Sequence, residues 1–290
     1  MKRFILTILT LVVIVLALFY FNVFWKSPSF YRIENPNTLT VPVVDMNTYM
    51  TEMISNHRRP YIYSVSANTG GKVVVLGVEH TSDPSKTQFD SIRQYWKEHQ
   101  PTVALVEGRM GFLIRWTQNP IERYGESGLL SDLAKKGGVD LYTWEPHRDD
   151  EVELLIQKHS AEKLAMFYSL RPYFGISKAN KPENPEEKLQ GYIDSRTDYN
   201  HIKGAVETWE DIDKIWQKDF PDLDWRTYSS GYGWPGYLHD IWNSSNLARD
   251  EHMINIIIEE VKKGETVIVT MGSSHAPRIE NTLKAALKAL

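Results

Sequence analysis

The chain has 290 residues, with 33 basic and 37 acidic side chains and a formal charge of −4; setting Lys2 and Arg3 aside leaves 31 basic against 37 acidic residues, a net −6. That balance excludes a nucleic-acid-binding face, which needs clustered positive charge. There is no cysteine, which excludes disulfides, thiolate zinc sites, a cysteine nucleophile and a lipoprotein anchor.

Residues 4–25, FILTILTLVVIVLALFYFNVFW, contain no charge. At about 1.5 Å per residue they make a helix of roughly 33 Å, enough to cross a bilayer. A cleaved signal peptide is the competing reading. Its apolar region is about 7–15 residues long and ends at a small-x-small site, whereas this run ends Phe24-Trp25-Lys26. Residues 1–26 are therefore expected to form a single-pass transmembrane anchor through residues 4–25. Lys2 and Arg3 favour a cytoplasmic N-terminus, with the folded body extracytoplasmic.

Residues 27–44 hold Pro28, Pro36 and Pro42 and little periodicity, which reads as an extended tether. The folded domain is expected over residues 45–290. YIYSVSA at 61–67, the turn residues Asn68-Thr69-Gly70-Gly71 and the aliphatic run 72–78 predict a β-hairpin. A helix over 85–99, a strand over 102–106, a helix around 128–136 and a strand over 139–143 continue a β-α rhythm. Residues 151–243 break it. They read as a helical insertion with an aromatic run of Trp216, Trp225, Tyr228, Tyr232, Trp234, Tyr237 and Trp242, which serves equally well as a ligand wall or as core. A helix over 244–263, a strand over 266–272 and a closing helix over 276–290 complete an α/β fold. Its expected centre is a mostly parallel sheet with an N-terminal hairpin, flanking helices and one preceding transmembrane helix.

Three strand ends carry the chemistry. The runs KVVVLGVEH (72–80) and TVIVTMGSSH (266–275) each end in Gly-x-x-His, and VALV at 103–106 ends in Glu107-Gly108-Arg109. Strands this apolar are buried, and in an open α/β sheet ligands bind at the carboxyl ends of the strands. One tetrapeptide alone is a weak pattern; two of them with a glutamate on an intervening strand point to a site. His80, Glu107 and His275 suit a divalent ion such as manganese, cobalt or zinc, with a position open for water. Glu79 or Glu107 is then placed to take a proton, and Arg109 or Arg249 to stabilise an oxyanion. The same residues also allow metal-free hydrolysis with His80 as general base. Both histidines are expected at solvent-reachable strand ends. Glu145-Pro146-His147 is a third polar strand end, with a helix cap as the plainer reading of His147.

YIYSV, the Gly-Gly turn, VVVLGVEH, VALVEGR, NLARDEHM and VIVTMGSSH together resemble the TraB/GumN family, which includes the Tiki metalloproteases. The likeness runs through nearly the whole domain. It implies a metal-dependent, peptide-cleaving hydrolase whose marked positions fall on Gly77, His80, Glu107, Arg249, Gly272 and His275. Glu79 stands where Tiki-like members often have a small or aliphatic residue, and Asp250 where an asparagine commonly follows the arginine. A more distant likeness to erythromycin esterase and ChaN-like proteins implies, as alternatives, a metal-free esterase or a non-enzymatic haem- or metal-binding protein.

Overall fold

The computed structural model describes residues 2–20, 23–228 and 233–290; residues 21 and 22 of the apolar segment and Tyr232 of the aromatic run lie outside them. The chain divides into two compact units, one of Met1–Val44, Glu52–Glu145 and Asp250–Leu290, the other of Asp45–Thr51 and Pro146–Arg249.

The first unit begins with helix α1 (Lys2–Tyr20). Its stretch Arg3–Tyr20 is long and apolar enough to cross a membrane, and none of it is buried. The two-residue strands β1 (Phe24–Trp25) and β2 (Ser29–Phe30) follow. Next come β3 (Tyr61–Ser66), β4 (Lys72–Val78), α3 (Gln88–His99), β5 (Val103–Val106), β6 (Leu113–Ile114), α4 (Pro120–Gly137) and β7 (Asp140–Thr143). The C-terminal part supplies β8 (Thr266–Gly272) and α10 (His275–Lys288), after helix α9 (Tyr237–Lys262), within which the division between the units falls.

Six strands form one sheet in the order β2-β7-β5-β8-β4-β3. All neighbours are parallel except the edge hairpin β3–β4, so the expected mostly parallel sheet and N-terminal hairpin are present. The central strands β4, β5 and β8 read as near-continuous apolar runs because both faces are covered. Val74, Leu76, Ala104, Val106 and Ile268 pack with Phe89 and Ile92 of α3 and Ile121, Leu129, Leu130 and Ala134 of α4. On the sheet's other side α10 packs on β3, β4 and β8, with Ile279, Leu283 and Leu287 fully buried. Each such aliphatic side chain contributes roughly 1.5–3 kcal/mol of transfer free energy.

Residues 27–44 are extended, as their prolines dictate, but they are docked rather than loose. Ser29 and Phe30 pair with Tyr142 and Thr143, Asn37 N–H donates to Asn255 Oδ1 at 2.7 Å, and Val44 N–H donates to the Arg278 carbonyl at 3.2 Å. The domain thus satisfies backbone groups that an isolated extended segment would leave to water.

The second unit is helical: the short α2 (Met46–Thr48), α5 (Arg148–Leu155), α6 (Ala161–Phe174), α7 (Pro185–Arg196), α8 (Trp209–Asp219) and the first half of α9. The aromatic run is mostly core. Trp216 and Trp225 are buried, and Phe174 meets Trp216, Tyr228 and Trp234 at centroid distances of 5.7, 4.9 and 5.0 Å. The unit's longer segment is 146–249, a few residues wider at each end than the expected insertion, and Asp45–Thr51 joins it.

Candidate functional site

Adjacent parallel strands bring the two histidine motifs together. Gly77 of β4 lies opposite Met271 of β8 and Val78 opposite Gly272, so His80 and His275 emerge at the same rim, two and three residues beyond the last pair. On the other flank of β8, Leu105 of β5 pairs with Val269, which carries Glu107 to the level of Met271. Its carboxylate bends over the end of β8 and accepts the Gly272 N–H at Oε2, 2.7 Å away.

The motif glycines are steric requirements. A β-carbon on Gly272 would lie 2.8 Å from His80 Nε2 and 3.5 Å from Glu107 Oε2, and one on Gly77 would lie 2.5 Å from the β-carbon of Ala276, the residue after His275. Each glycine therefore makes room for the partner motif. Tyr63 on β3 donates its hydroxyl to the Ala276 carbonyl at 3.2 Å. Burial, with Glu280 nearby, pushes that hydroxyl above its ordinary value and keeps it a donor.

Both imidazoles are oriented by carboxylates. His80 Nδ1 is 2.6 Å from Glu126 Oε1 and His275 Nδ1 is 2.5 Å from Asp250 Oδ1. A carboxylate accepts, so the hydrogen in each ring is assigned to Nδ1, and Nε2 carries the lone pair. Those lone pairs face one acceptor: His80 Nε2 is 3.6 Å from Glu107 Oε2, and His275 Nε2 is 3.8 Å from Glu107 Oε1. Such separations are too long for direct hydrogen bonds. Three electron-rich groups converging at these separations suit a shared cation or proton, since donors bound to one ion at about 2.1 Å stand roughly 3–3.4 Å apart.

The two histidines differ in setting. The His80 side chain is 61% exposed, whereas that of His275 is 5% exposed, against the expectation that both are solvent-reachable. Behind His275, Arg278 Nη1 lies 2.9 Å from Asp250 Oδ2, both side chains being fully buried. The contact does not meet hydrogen-bond alignment, so its attraction is chiefly Coulombic. Arg278 Nε donates to the Val44 carbonyl at 2.7 Å. Trp144 closes the remaining side, its ring edge-on to His275 at 5.4 Å and its Nε1 donating to the Thr270 carbonyl at 3.0 Å.

Glu126 is brought in by a kink. Tyr124 (φ −140°) and Gly125 (φ 56°, ψ −136°) leave helical geometry inside α4, in a region that only glycine adopts readily. A β-carbon on Gly125 would also lie 2.7 Å from the Thr81 carbonyl. The helix thus approaches the His80 loop at a glycine, and the next residue is the carboxylate under the ring. Ser127 ties the same segment to β5 by donating to the Glu107 carbonyl at 3.0 Å.

His80, Glu107 and Glu126 form the one group among the described residues whose donor atoms lie close enough to hold a metal ion together. Glu126 was absent from the sequence-derived set, and His275 stands outside this group, within reach of Glu107 only. With Nδ1 of His80 already at hydrogen-bond distance from Glu126, the Nε2 side of the ring is the one disposed to bind an ion. A cleft of about 420 Å³ opens over these residues, lined also by Arg109, Arg123, Tyr124 and Glu145.

Of the other expected residues, Arg109 is at the cleft, its guanidinium 4.8 Å over the Phe30 ring. Glu79 is exposed and does not line the cleft; its backbone is clamped by Gln88, which accepts from its N–H and donates to its carbonyl. The side chain next to His80 therefore points elsewhere, as alternation along an extended chain requires. Arg249 is buried in the second unit, its Nη1 3.5 Å from Asn246 Oδ1. His147 caps α5 by accepting from the Asp149 N–H. Comparison with protein-family models, curated proteins and solved structures finds no match to this chain.

Proposed function

We propose that the chain is a membrane-anchored, divalent-metal-dependent hydrolase of the TraB/GumN type that cleaves peptide bonds, with α1 spanning the membrane from a cytoplasmic N-terminus and the cleft on the extracytoplasmic side. The observation that carries this reading is the convergence of two carboxylate-oriented imidazoles on Glu107.

His80 and Glu107 are the expected ligands, with His275 Nε2 completing the set from behind Glu107. Glu126 and Asp250 fix the ring tautomers and raise ligand basicity, the role outer carboxylates have in metal sites. A manganese, cobalt or zinc ion held there would polarise a substrate carbonyl and lower the pKa of its bound water. Arg109 and Arg123 line the cleft, and among the described residues neither makes an ion pair with a carboxylate. They suit a developing oxyanion or a carboxylate of the substrate. Glu145, on the cleft wall, is placed to exchange a proton.

A metal-free reading is favoured by one specific feature, the Asp250–His275 pair backed by Arg278, which is what a general base requires. The deciding experiment uses the full-length chain in detergent, stripped with chelator and assayed on peptide and ester substrates with and without added manganese, cobalt or zinc. Metal-restored peptide hydrolysis that is lost in Glu107→Gln supports the proposal. Ester hydrolysis indifferent to chelator supports the metal-free reading, and a Soret band on adding haem with no hydrolysis overturns both.

A further inference from the structure

The end of α1 packs against the segment that follows the cleft-lining residues Arg109 and Met110. The ring of Phe19, in the helix's last turn, lies 5.5 Å from that of Phe24 and 6.2 Å from that of Phe112, and the latter two are 5.2 Å apart. The backbone fixes this cluster. In the ribbon β1–β6, Phe24 pairs with Ile114 and Trp25 with Leu113, and Arg115 N–H donates to the Val23 carbonyl at 2.9 Å. Residues 112–116 are thus held against the point where the apolar helix stops.

That segment exposes side chains a water-facing loop would bury. Phe112 is 50% exposed and Trp116 75%, beside Tyr20 at 81%. Lys26 places its ammonium 5.2 Å over the Phe19 ring. Among the described residues, the stretch of α1 long and apolar enough to cross a membrane is Arg3–Tyr20, about 27 Å at about 1.5 Å rise, close to one hydrocarbon thickness. Its end therefore falls at an interface, where aromatic rings with polar neighbours are most stable.

The same segment leads directly into the cleft. Arg109 and Met110 line it, and Phe112 follows two residues on, at most about 7 Å of chain. Tyr124, also on the cleft wall, donates its hydroxyl to the Phe112 carbonyl at 3.1 Å.

We infer that the exposed side chains of residues 111–116 form a membrane-contact surface, with Phe112 and Trp116 in the headgroup layer of the bilayer that α1 crosses, and that the cleft opens beside that surface. This rests on the reading of α1 as a membrane span. The partner is the lipid interface itself. The substrate class that follows is a polypeptide segment displayed close to the bilayer, such as the juxtamembrane stretch of another membrane-bound chain.

The absence of cysteine makes the test direct. Full-length Phe112→Cys, Trp116→Cys and, as a control in the β3–β4 turn at the opposite ends of the strands, Asn68→Cys are labelled with an NBD fluorophore. Each is reconstituted in phosphatidylcholine vesicles containing headgroup- or acyl-nitroxide lipid. Emission at 112 and 116 should be blue-shifted and quenched most by the shallow nitroxide, with neither effect at 68. Vesicle-bound protein whose labels at 112 and 116 behave like that at 68 overturns the inference and leaves the hydrolase reading standing. Failure to float with vesicles removes the span and the inference with it, whereas metal-dependent hydrolysis in detergent is read separately. Should Phe112→Cys misfold, Trp116→Cys decides alone, since its side chain is the more exposed of the two.

Discussion

Asp250 and Arg278 face each other across 2.9 Å with neither side chain reached by solvent. A buried charge deprived of its partner costs about 3–5 kcal/mol, while replacing both partners is far less costly. Asp250→Asn should therefore lower the stability of the chain by about that amount by stranding the Arg278 guanidinium. Adding Arg278→Met should recover much of the loss. Denaturant unfolding of the two single variants and the double variant checks this, and additive losses would show that the pair does not interact as the geometry implies.

His80 and His275 should separate in stability and agree in activity. His80→Ala removes an exposed ring and should leave the unfolding midpoint nearly unchanged. His275→Ala opens a cavity beside Trp144 and takes the hydrogen-bond donor from Asp250, at a cost of about 1–3 kcal/mol. Hydrolysis should be nearly abolished in each, and the double variant should be scarcely worse than either, because groups acting as one unit are not additive. Near-normal turnover in both single variants would rule out the assigned site.

Two glycine substitutions should have opposite signatures. In Gly272→Ala the new methyl meets the end of a side chain that is more than half exposed. The ring should swing away, leaving stability within about 1 kcal/mol of the parent while metal affinity measured by calorimetry falls tenfold or more, as when an outer partner is lost. Gly125→Ala meets a backbone carbonyl at a positive φ and should cost about 1–3 kcal/mol together with the site.

Stability should rise between pH 8 and 10. Burial depresses the Lys181 ammonium from its ordinary 10.5 to about 8, where it sits 3.7 Å over the Tyr173 ring and donates to the Tyr173 carbonyl. Across that window the unfolded chain holds a proton that the folded chain has released, so raising the pH favours folding. Above about pH 10 the sign reverses. Burial raises the hydroxyls of Tyr31, Tyr63, Tyr168 and Tyr237 above their ordinary value, and the unfolded chain then loses protons first. Thermal unfolding against pH should show the rise, and Lys181→Met should flatten it.

Central strands are the part of this fold that sequence declares most clearly. Runs such as VVVL and VIV are unintelligible except as buried strands, and their polar ends named His80, Glu107 and His275. Glu126 could not be found in that way. RYGESG precedes the helix expected around 128–136, and only the Tyr124–Gly125 kink within α4 turns the carboxylate toward His80. Arg278 and Asp250 were hidden for a related reason, since charged residues on helices normally face water and nothing local marks a pair that buries itself. The docking of residues 27–44 escaped notice because a two-residue strand such as Ser29–Phe30 has no period to detect.

The interlocked glycines bear on where such a site can arise. Gly77 leaves the space that Ala276 fills, and Gly272 the space that His80 occupies, so each tetrapeptide on its own is a vacancy awaiting an occupant from the neighbouring strand. Grafting either one onto another parallel sheet would transplant half of a joint. The transferable unit is the pair of adjacent strands in this register, and a search for distant kin should score the two motifs together, at the spacing that a parallel crossover allows, rather than count either one alone.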